Sequence, residues 1–523
     1  MIISILVIMA YLLYTVCKTL QFNAMYKWVS SMVNIPLPSL DTIYSEADAA
    51  DCVPIVFLIP ALREESLVDE TLSYFSQIQY PKEKLHIVFV TTDEETISKR
   101  ERAHQLPVLY NQLRKKPTLK AMAQHNKGLF PRQEYERVIQ IATRNTDQQT
   151  GVKELEDLYF SILDTSALIE KKLLLDKGEF TNFYHIRCPT LNGGGKPTQI
   201  NYAIGLIDKK IEELGYIQDF YIGIYDFDSR PDNRTCMYIA QKVWEANQGK
   251  SELDAPDFFQ QMQYPLNHLE YVEQYCAHKS LIRSNLTLYC RRVLGIELYK
   301  FYKYAEHIRR KKKGLPPCIN CLGTGMFIKY KTLKQVGGFS EPVEDLVLGY
   351  QLSSLKKNML PIPYINITEP YFSISAMIRS QSRIFMVGIR LVKERNFSSI
   401  SIAMAIKEMF EFFVWFAIGP VMWTAFTYLF YTKIIVAFIL LALVLTFRFF
   451  LDVTILIKMN QKLLVNHQYH DGSYHFTAWE KVKMIFISPT MGLIRSAIAF
   501  VGLIKYIGVY WLHIDVKRSK TER

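Results

Sequence analysis

The chain has 523 residues and a formal charge of +12, from 62 Lys and Arg against 50 Asp and Glu, and it is 49% hydrophobic and 13% aromatic. This composition excludes a disordered polymer, a collagen-like chain and a small disulfide scaffold. Apolar residues are dense at the start and towards the end of the chain, with a mixed stretch between them. That pattern reads as a membrane protein carrying a soluble domain.

Residues 1–17 hold no charged side chain, and Lys18 and Lys27 follow. A signal peptide would need a basic start and small residues at a cleavage site. We read an uncleaved anchor over 1–20, with the following chain in the cytosol by the positive-inside rule. Residues 53–59 (VPIVFLI) then make a short apolar run ended by Pro60, suited to a buried parallel strand. Residues 64–79 predict a helix that Tyr80-Pro81 stops, and residues 85–90 (LHIVFV) predict a strand leading to Thr92-Asp93. Strand, helix, strand is a βαβ unit. Open α/β sheets bind ligands beyond the carboxyl ends of their strands, where Asp93 sits.

Residues 97–185 are polar and mostly helix-like, with no catalytic cluster. Gly193-Gly194-Gly195-Lys196 lacks the spacing of a phosphate-binding P-loop. Residues 199–207 predict a helix, and residues 220–225 (FYIGIY) predict a strand that ends in Asp226-Phe227-Asp228-Ser229. Pleating would send two carboxylates spaced by two to one face, where like charges repel. A divalent cation relieves that repulsion, and Mg²⁺ commonly uses one or two carboxylates plus phosphate oxygens. Taken alone, the pair reads as two solvated turn residues; its context changes that.

Eight cysteines lie mostly in the middle of the chain, and free thiols are expected there. Cys318-Ile-Asn-Cys321 has no second pair to complete a zinc site. Residues 309–313 are all basic, as at a solvated helix end, with attraction to anionic lipid as the next reading. Nucleic-acid binding would leave the apolar spans unexplained. Residues 371–408 mix apolar and basic side chains, as in helices lying on the inner leaflet. Within 409–457, residues 412–432 and 434–457 predict a transmembrane hairpin. Arg448 and Asp452 share one face of its second helix, either as a neutralising pair or as the lining of a polar path. His467, His470 and His475 read as part of a solvated loop. Residues 484–512 are interrupted by Pro489 and Gly492 and predict a bent or re-entrant segment.

Several short motifs recur in order. They are Pro60-Ala61-Leu62-Arg63-Glu64-Glu65, Thr92-Asp93, Gly195-Lys196-Pro197-x-x-x-Asn201 and Asp226-Phe227-Asp228-Ser229. Gly323-Thr324-Gly325, Val336-Gly337-Gly338-Phe339 and Glu344-Asp345-Leu346-Val347-Leu348-Gly349 follow. Together they resemble the family 2 glycosyltransferases over residues 50–390. The apolar flanks are similar to the membrane-embedded synthase branch, which includes cellulose, hyaluronan and chitin-oligosaccharide synthases.

The resemblance implies an α/β GT-A domain over 50–370 with a mostly parallel sheet, joined to transmembrane and interfacial helices. It also implies roles. Pro60, Ala61 and Glu64 would border the uracil and ribose, and Asp93 would contact the base. Lys196 would lie near the diphosphate, Asp226 would support the nucleotide-sugar, and Asp228 would ligate Mg²⁺ or Mn²⁺. Asp345 would be the general base. Glu344, Gln381, Arg383 and Phe385 would serve the acceptor or the diphosphate. The implied partners are a cytosolic nucleotide-sugar, a glycan or lipid-linked acceptor, and membrane lipids.

The chemistry suits these residue types. A sugar hydroxyl is a poor nucleophile, so an inverting displacement needs a carboxylate to take its proton. The leaving nucleotide gains charge that a metal can stabilise. Two positions depart from the family. Arg63 stands where Asn is usual. The QxxRW motif of processive members is replaced by Gln381-Ser382-Arg383-Ile384-Phe385. Phe lacks the indole N–H donor, and a one-residue shift turns the arginine by about 100° on a helix. This favours addition of a single sugar to a lipid or lipid-linked acceptor, whereas the apolar hairpin and bent segment favour a polysaccharide synthase. A transporter or receptor without catalysis is the third reading.

Overall fold

The computed structural model describes residues 2–33, 52–145, 147–176, 178–189, 195–214, 219–249, 254–276, 278–313, 316–340 and 344–382. It further describes scattered positions between 410 and 432, residues 435–458, His467 and residues 477–510.

Among the described residues eight strands form one mixed sheet: β1 (Ile55–Pro60), β2 (Leu85–Thr92), β3 (Phe183–Cys188), β4 (Tyr221–Ile224), β5 (Arg230–Pro231), β6 (Phe258–Pro265), β7 (Met326–Lys329) and β8 (Met359–Thr368). Their order is β3-β2-β1-β4-β7-β6-β8-β5. The half made of β3, β2, β1 and β4 is parallel throughout. β7 runs antiparallel between β4 and β6, and β5 runs antiparallel to β8. β6 and β8 pair in parallel, so four of the seven strand pairings are parallel, and the sheet is mixed with parallel pairing predominant.

β1 is central because its side chains can be covered on both faces. Ile55, Phe57, Leu58 and Ile59 are all buried, as suits β-branched and aromatic residues in an interior strand. Parallel pairing of β1 with β2 and β4 brings the carboxyl ends of three strands to one edge. That edge carries Pro60, Asp93 and the loop from Asp226.

Residues between β2 and β3 form a helical subdomain with its own small core, including Tyr110, Val138, Leu155 and Tyr159. Thr118, Asp147 and Asp164 each cap a helix there by accepting a bond from a backbone amide, which satisfies donors the helix leaves open.

Among the described residues three long apolar helices, Ile2–Val33, Ile435–Lys458 and Ala478–Tyr510, pack so that the second touches both others, and the helix Lys279–Arg292 packs on the second and third. The expected anchor over 1–20 is the first part of a 32-residue helix. The segment expected from 484 belongs to a 33-residue helix that includes Pro489. Its stretch Ala478–Gly508 is long and apolar enough to cross a membrane, with mean hydropathy 1.7 in its most apolar window. Arg448 lies 3.8 Å from Asp452 and also donates to the Tyr11 hydroxyl, so the two charges meet each other and the first helix.

Residues 374–382 are helical and dock on the last two long helices, through Met377 packed with Phe449, Met491 and Ile498, and through Lys505 donating to Ser382 at 2.9 Å. His467 corrects the solvated-loop expectation. It is buried, its Nε2 lies 3.1 Å from the carbonyl oxygens of Arg230 and Ile365, and burial lowers its pKa to about 4. His470 and His475 lie outside the described residues.

Candidate active site

The loop after β4 is held from below. The helix Val68–Ser76 supplies Thr71, whose hydroxyl donates to the Phe227 carbonyl at 2.9 Å. Arg230 is fully buried, 2.9 Å from Glu70, and donates to the Ser229 carbonyl at 2.8 Å. From the other side the Thr324 hydroxyl accepts from the Asp226 amide at 3.1 Å and lies 2.9 Å from the Ser229 hydroxyl. Gly323-Thr324-Gly325 is thereby fastened to the Asp226–Ser229 turn.

On this frame three charged side chains meet. Lys196, at the start of the helix Lys196–Leu214, lies 2.7 Å from Asp226 and also donates to the Gly323 carbonyl. Asp345, at the start of the helix Glu344–Ser354, approaches the same glycine: a Cβ built on Gly323 would lie 3.2 Å from the Asp345 carboxylate and 3.7 Å from the Lys196 ammonium. Burial is the largest influence on Asp345 and pushes its carboxyl above the ordinary value; Lys196 opposes this and Asp226 adds to it. The Asp345 carboxylate also accepts from the Leu346 amide at 2.8 Å.

Asp228 lies two residues beyond Asp226 and is buried. It accepts from the Glu369 amide at 2.8 Å, just past the end of β8. Glu369 is paired with Arg132 of the helical subdomain through two contacts, of 3.1 and 3.4 Å. Asp226 and Asp228 are hard oxygen donors on one turn, and two such carboxylates suit Mg²⁺ or Mn²⁺ completed by phosphate oxygens. Among the described residues no group of three or more His, Cys, Asp or Glu could hold a metal by protein ligands alone.

The other expected positions spread out along the same edge. Pro60 ends β1, and buried Ala61 donates its amide to the Val90 carbonyl at 2.8 Å. Glu64 gives its amide to the Thr165 hydroxyl at 2.8 Å, so the loop after β1 is tied to the helical subdomain. Asp93 is ion-paired with Arg187 on β3 and is not joined directly to the Lys196 cluster by any hydrogen bond or ion pair among the described residues. Gln381 is buried in residues 374–382. Glu344 opens the Asp345 helix. Arg383 and Phe385 lie outside the described residues, as do Gly193 and Gly194.

Arg63 has φ of 57°, in the left-handed region. Asn is enriched there and Arg is not, so Arg63 holds this conformation at a cost of about 1–2 kcal/mol.

Sequence reading missed the supports. Arg230, Glu369 and Arg132 carry no motif signal, because each acts through a partner more than a hundred residues away. Cys318 and Cys321 are buried and form no disulfide. They belong to a segment on which the Asp345 helix rests at backbone contact: a Cβ on Gly349 would lie 2.3 Å from the Ile319 carbonyl oxygen. Gly349→Ala is therefore expected to cost about 1–3 kcal/mol through overpacking and to lower turnover by shifting Asp345. Urea unfolding of the purified variant checks the first part, and an unchanged midpoint would show that the helix has room to slide.

His268 supports the same region. Burial works against its charge, but hydrogen bonds to Glu270 at 3.3 Å and Glu70 at 2.9 Å prevail and raise its pKa to about 9. A raised folded pKa stabilises the fold fully below the ordinary value of 6.5, and the contribution is lost as pH rises through about 9. The thermal midpoint is expected to fall across that window, and His268→Gln is expected to flatten the fall.

No family model matches the chain, and no curated protein matches it. Among solved structures it is similar to the mannosyltransferase PcManGT from Pyrobaculum calidifontis in complex with GDP-Man and Mn²⁺. The TM-score is 0.41 and the identity 11%, over 88% of this chain and 100% of that one. It is also similar to residues 1–349 of S. aureus TarS in complex with UDP-GlcNAc, at TM-score 0.31 and 11% identity, over 84% of this chain and 90% of that one.

Proposed function

We propose that this chain is a membrane-bound inverting glycosyltransferase of family 2 type, moving a sugar from a cytosolic nucleotide-sugar, a UDP-sugar by preference, onto a growing polysaccharide. The observation that carries the reading is the meeting of Asp345, Lys196 and Asp226 at the carboxyl edge of the parallel half-sheet, with Asp228 on the same turn. Large apolar side chains exposed along the long helices, among them Leu13, Phe447, Phe486 and Ile504, support contact with lipid.

Asp345 takes the proton of the acceptor hydroxyl as that oxygen attacks the anomeric carbon, and the bond to the diphosphate breaks on the opposite side. A carboxyl held above its ordinary pKa is a stronger base than a solvated one. Lys196 faces the leaving diphosphate and keeps Asp226 oriented. Asp228, with Asp226, would hold Mg²⁺ or Mn²⁺, which when bound supplies charge stabilisation to the leaving nucleotide.

A second reading is the addition of one sugar to a lipid or lipid-linked acceptor. It is supported by the altered motif at 381–385 and by the burial of Gln381. Radiolabelled UDP- and GDP-sugars presented to the purified full chain test both readings. A ladder of products supports the polymerase, a single addition supports the alternative, and turnover of no nucleotide-sugar would sink the enzyme reading.

A further inference from the structure

A cavity of about 500 Å³ opens beside the catalytic edge, between the helical subdomain, the loop after β1 and the segment after β8. Its volume falls within the range of small-molecule sites, about 300–1,000 Å³. Glu369 lines it, and the Glu369 amide bonds Asp228, so the cavity adjoins the turn that carries the two aspartates.

The lining is of mixed chemistry. Glu95 is 1% exposed; its Oε1 accepts from the Thr165 amide and hydroxyl, at 2.9 and 2.8 Å. Its Oε2 is buried with no hydrogen-bond partner among the described residues, and Glu95 lines the cavity. Leaving a buried acceptor unsatisfied costs about 1–3 kcal/mol, more for a charged group. On the same wall Gly128 sits between two guanidiniums, 3.4 Å from Arg63 and 3.6 Å from Arg102 when measured from a built Cβ. Tyr135 and Tyr159 add ring surface.

Lys99, Lys120, Lys127 and Arg132 also line the cavity; the lone Glu95 oxygen calls for a donor and the basic groups call for acceptors. A neutral ligand whose hydroxyls both donate and accept, and whose ring carbons present an apolar face, satisfies both sets and the rings. We propose that this cavity is a carbohydrate subsite, built by the helical subdomain, that holds acceptor glycan behind the sugar being extended. The assignment rests on the transferase reading for its purpose, but its binding test does not need turnover.

The experiment measures binding of neutral tetrasaccharides, namely cellotetraose, maltotetraose, chitotetraose and mannotetraose, to the purified full chain without donor. Titration calorimetry gives the affinities, with pyrophosphate as the anionic comparison. Ala123→Trp fills the cavity from a half-buried position, and Glu95→Gln weakens the lone acceptor. The expected result is binding of at least one tetrasaccharide, weakened at least about tenfold by either change and retained in Asp345→Asn. Ala123→Trp should also keep donor hydrolysis, because it touches nothing at the carboxylates. No tetrasaccharide binding by the unaltered chain, binding unchanged by Ala123→Trp, or binding of pyrophosphate alone would each overturn the assignment. Failure of the transferase reading would show separately, as turnover of no nucleotide-sugar by the unaltered chain.

Discussion

Asp345→Asn is expected to reduce sugar transfer by about 10²–10⁴-fold. Asn matches Asp in size, so the start of the helix Glu344–Ser354 and its contact with Gly323 can be kept. The ion pair of Lys196 with Asp226 is made without Asp345. Donor binding should therefore persist while the proton acceptor is lost, and the change should appear in kcat with KM for the nucleotide-sugar little altered. Asp228→Asn should instead weaken metal dependence, read as a higher Mg²⁺ or Mn²⁺ concentration for half-maximal rate. An Asp345→Asn enzyme with an unaltered kcat would remove the general base from the mechanism, whatever became of the other residues.

Arg132→Ala is expected to cost about 3–5 kcal/mol in chemical unfolding, because it leaves a buried carboxylate uncompensated. The Glu369 side chain is only 1% exposed and that of Arg132 14%, and the guanidinium lies 4.1 Å from the ring centre of Phe372. The pair fastens the helical subdomain to the residue whose amide holds Asp228. Losing it should therefore reduce activity as well as stability, because the residue whose amide holds Asp228 loses its anchor. A double-mutant cycle with Glu369→Gln separates the pair from its surroundings, and a coupling near zero would show that the subdomain is held by its other contacts.

Local patterns were legible in the chain where the structure depends on near neighbours. The runs at 53–59, 85–90 and 220–225 became three adjacent parallel strands, because uninterrupted β-branched and aromatic residues suit a strand buried on both faces. β3, β5, β6, β7 and β8 were not foreseen. Their sequences are short or interrupted by polar residues such as Gln260 and Gln261, which are buried only because distant partners satisfy them: Gln260 donates to Thr324 and Gln261 to Thr235, at 2.9 and 2.7 Å. His467 misled for the same reason, since a polar loop reads as solvated until the carbonyls that receive it are known.

By itself, then, the chain determined the acidic residues at strand ends, the apolar helices and the helical stretch between β2 and β3, all set by composition and periodicity over a few turns. Only the tertiary structure decided that Asp345 and Lys196 converge on Gly323 while Asp93 turns to Arg187. It alone decided that Arg132 reaches Glu369 and that a cavity opens beside the aspartate turn. Those outcomes hang on contacts between residues far apart in sequence. Such contacts exist once the sheet has closed in the order β3-β2-β1-β4-β7-β6-β8-β5, and no local pattern encodes them.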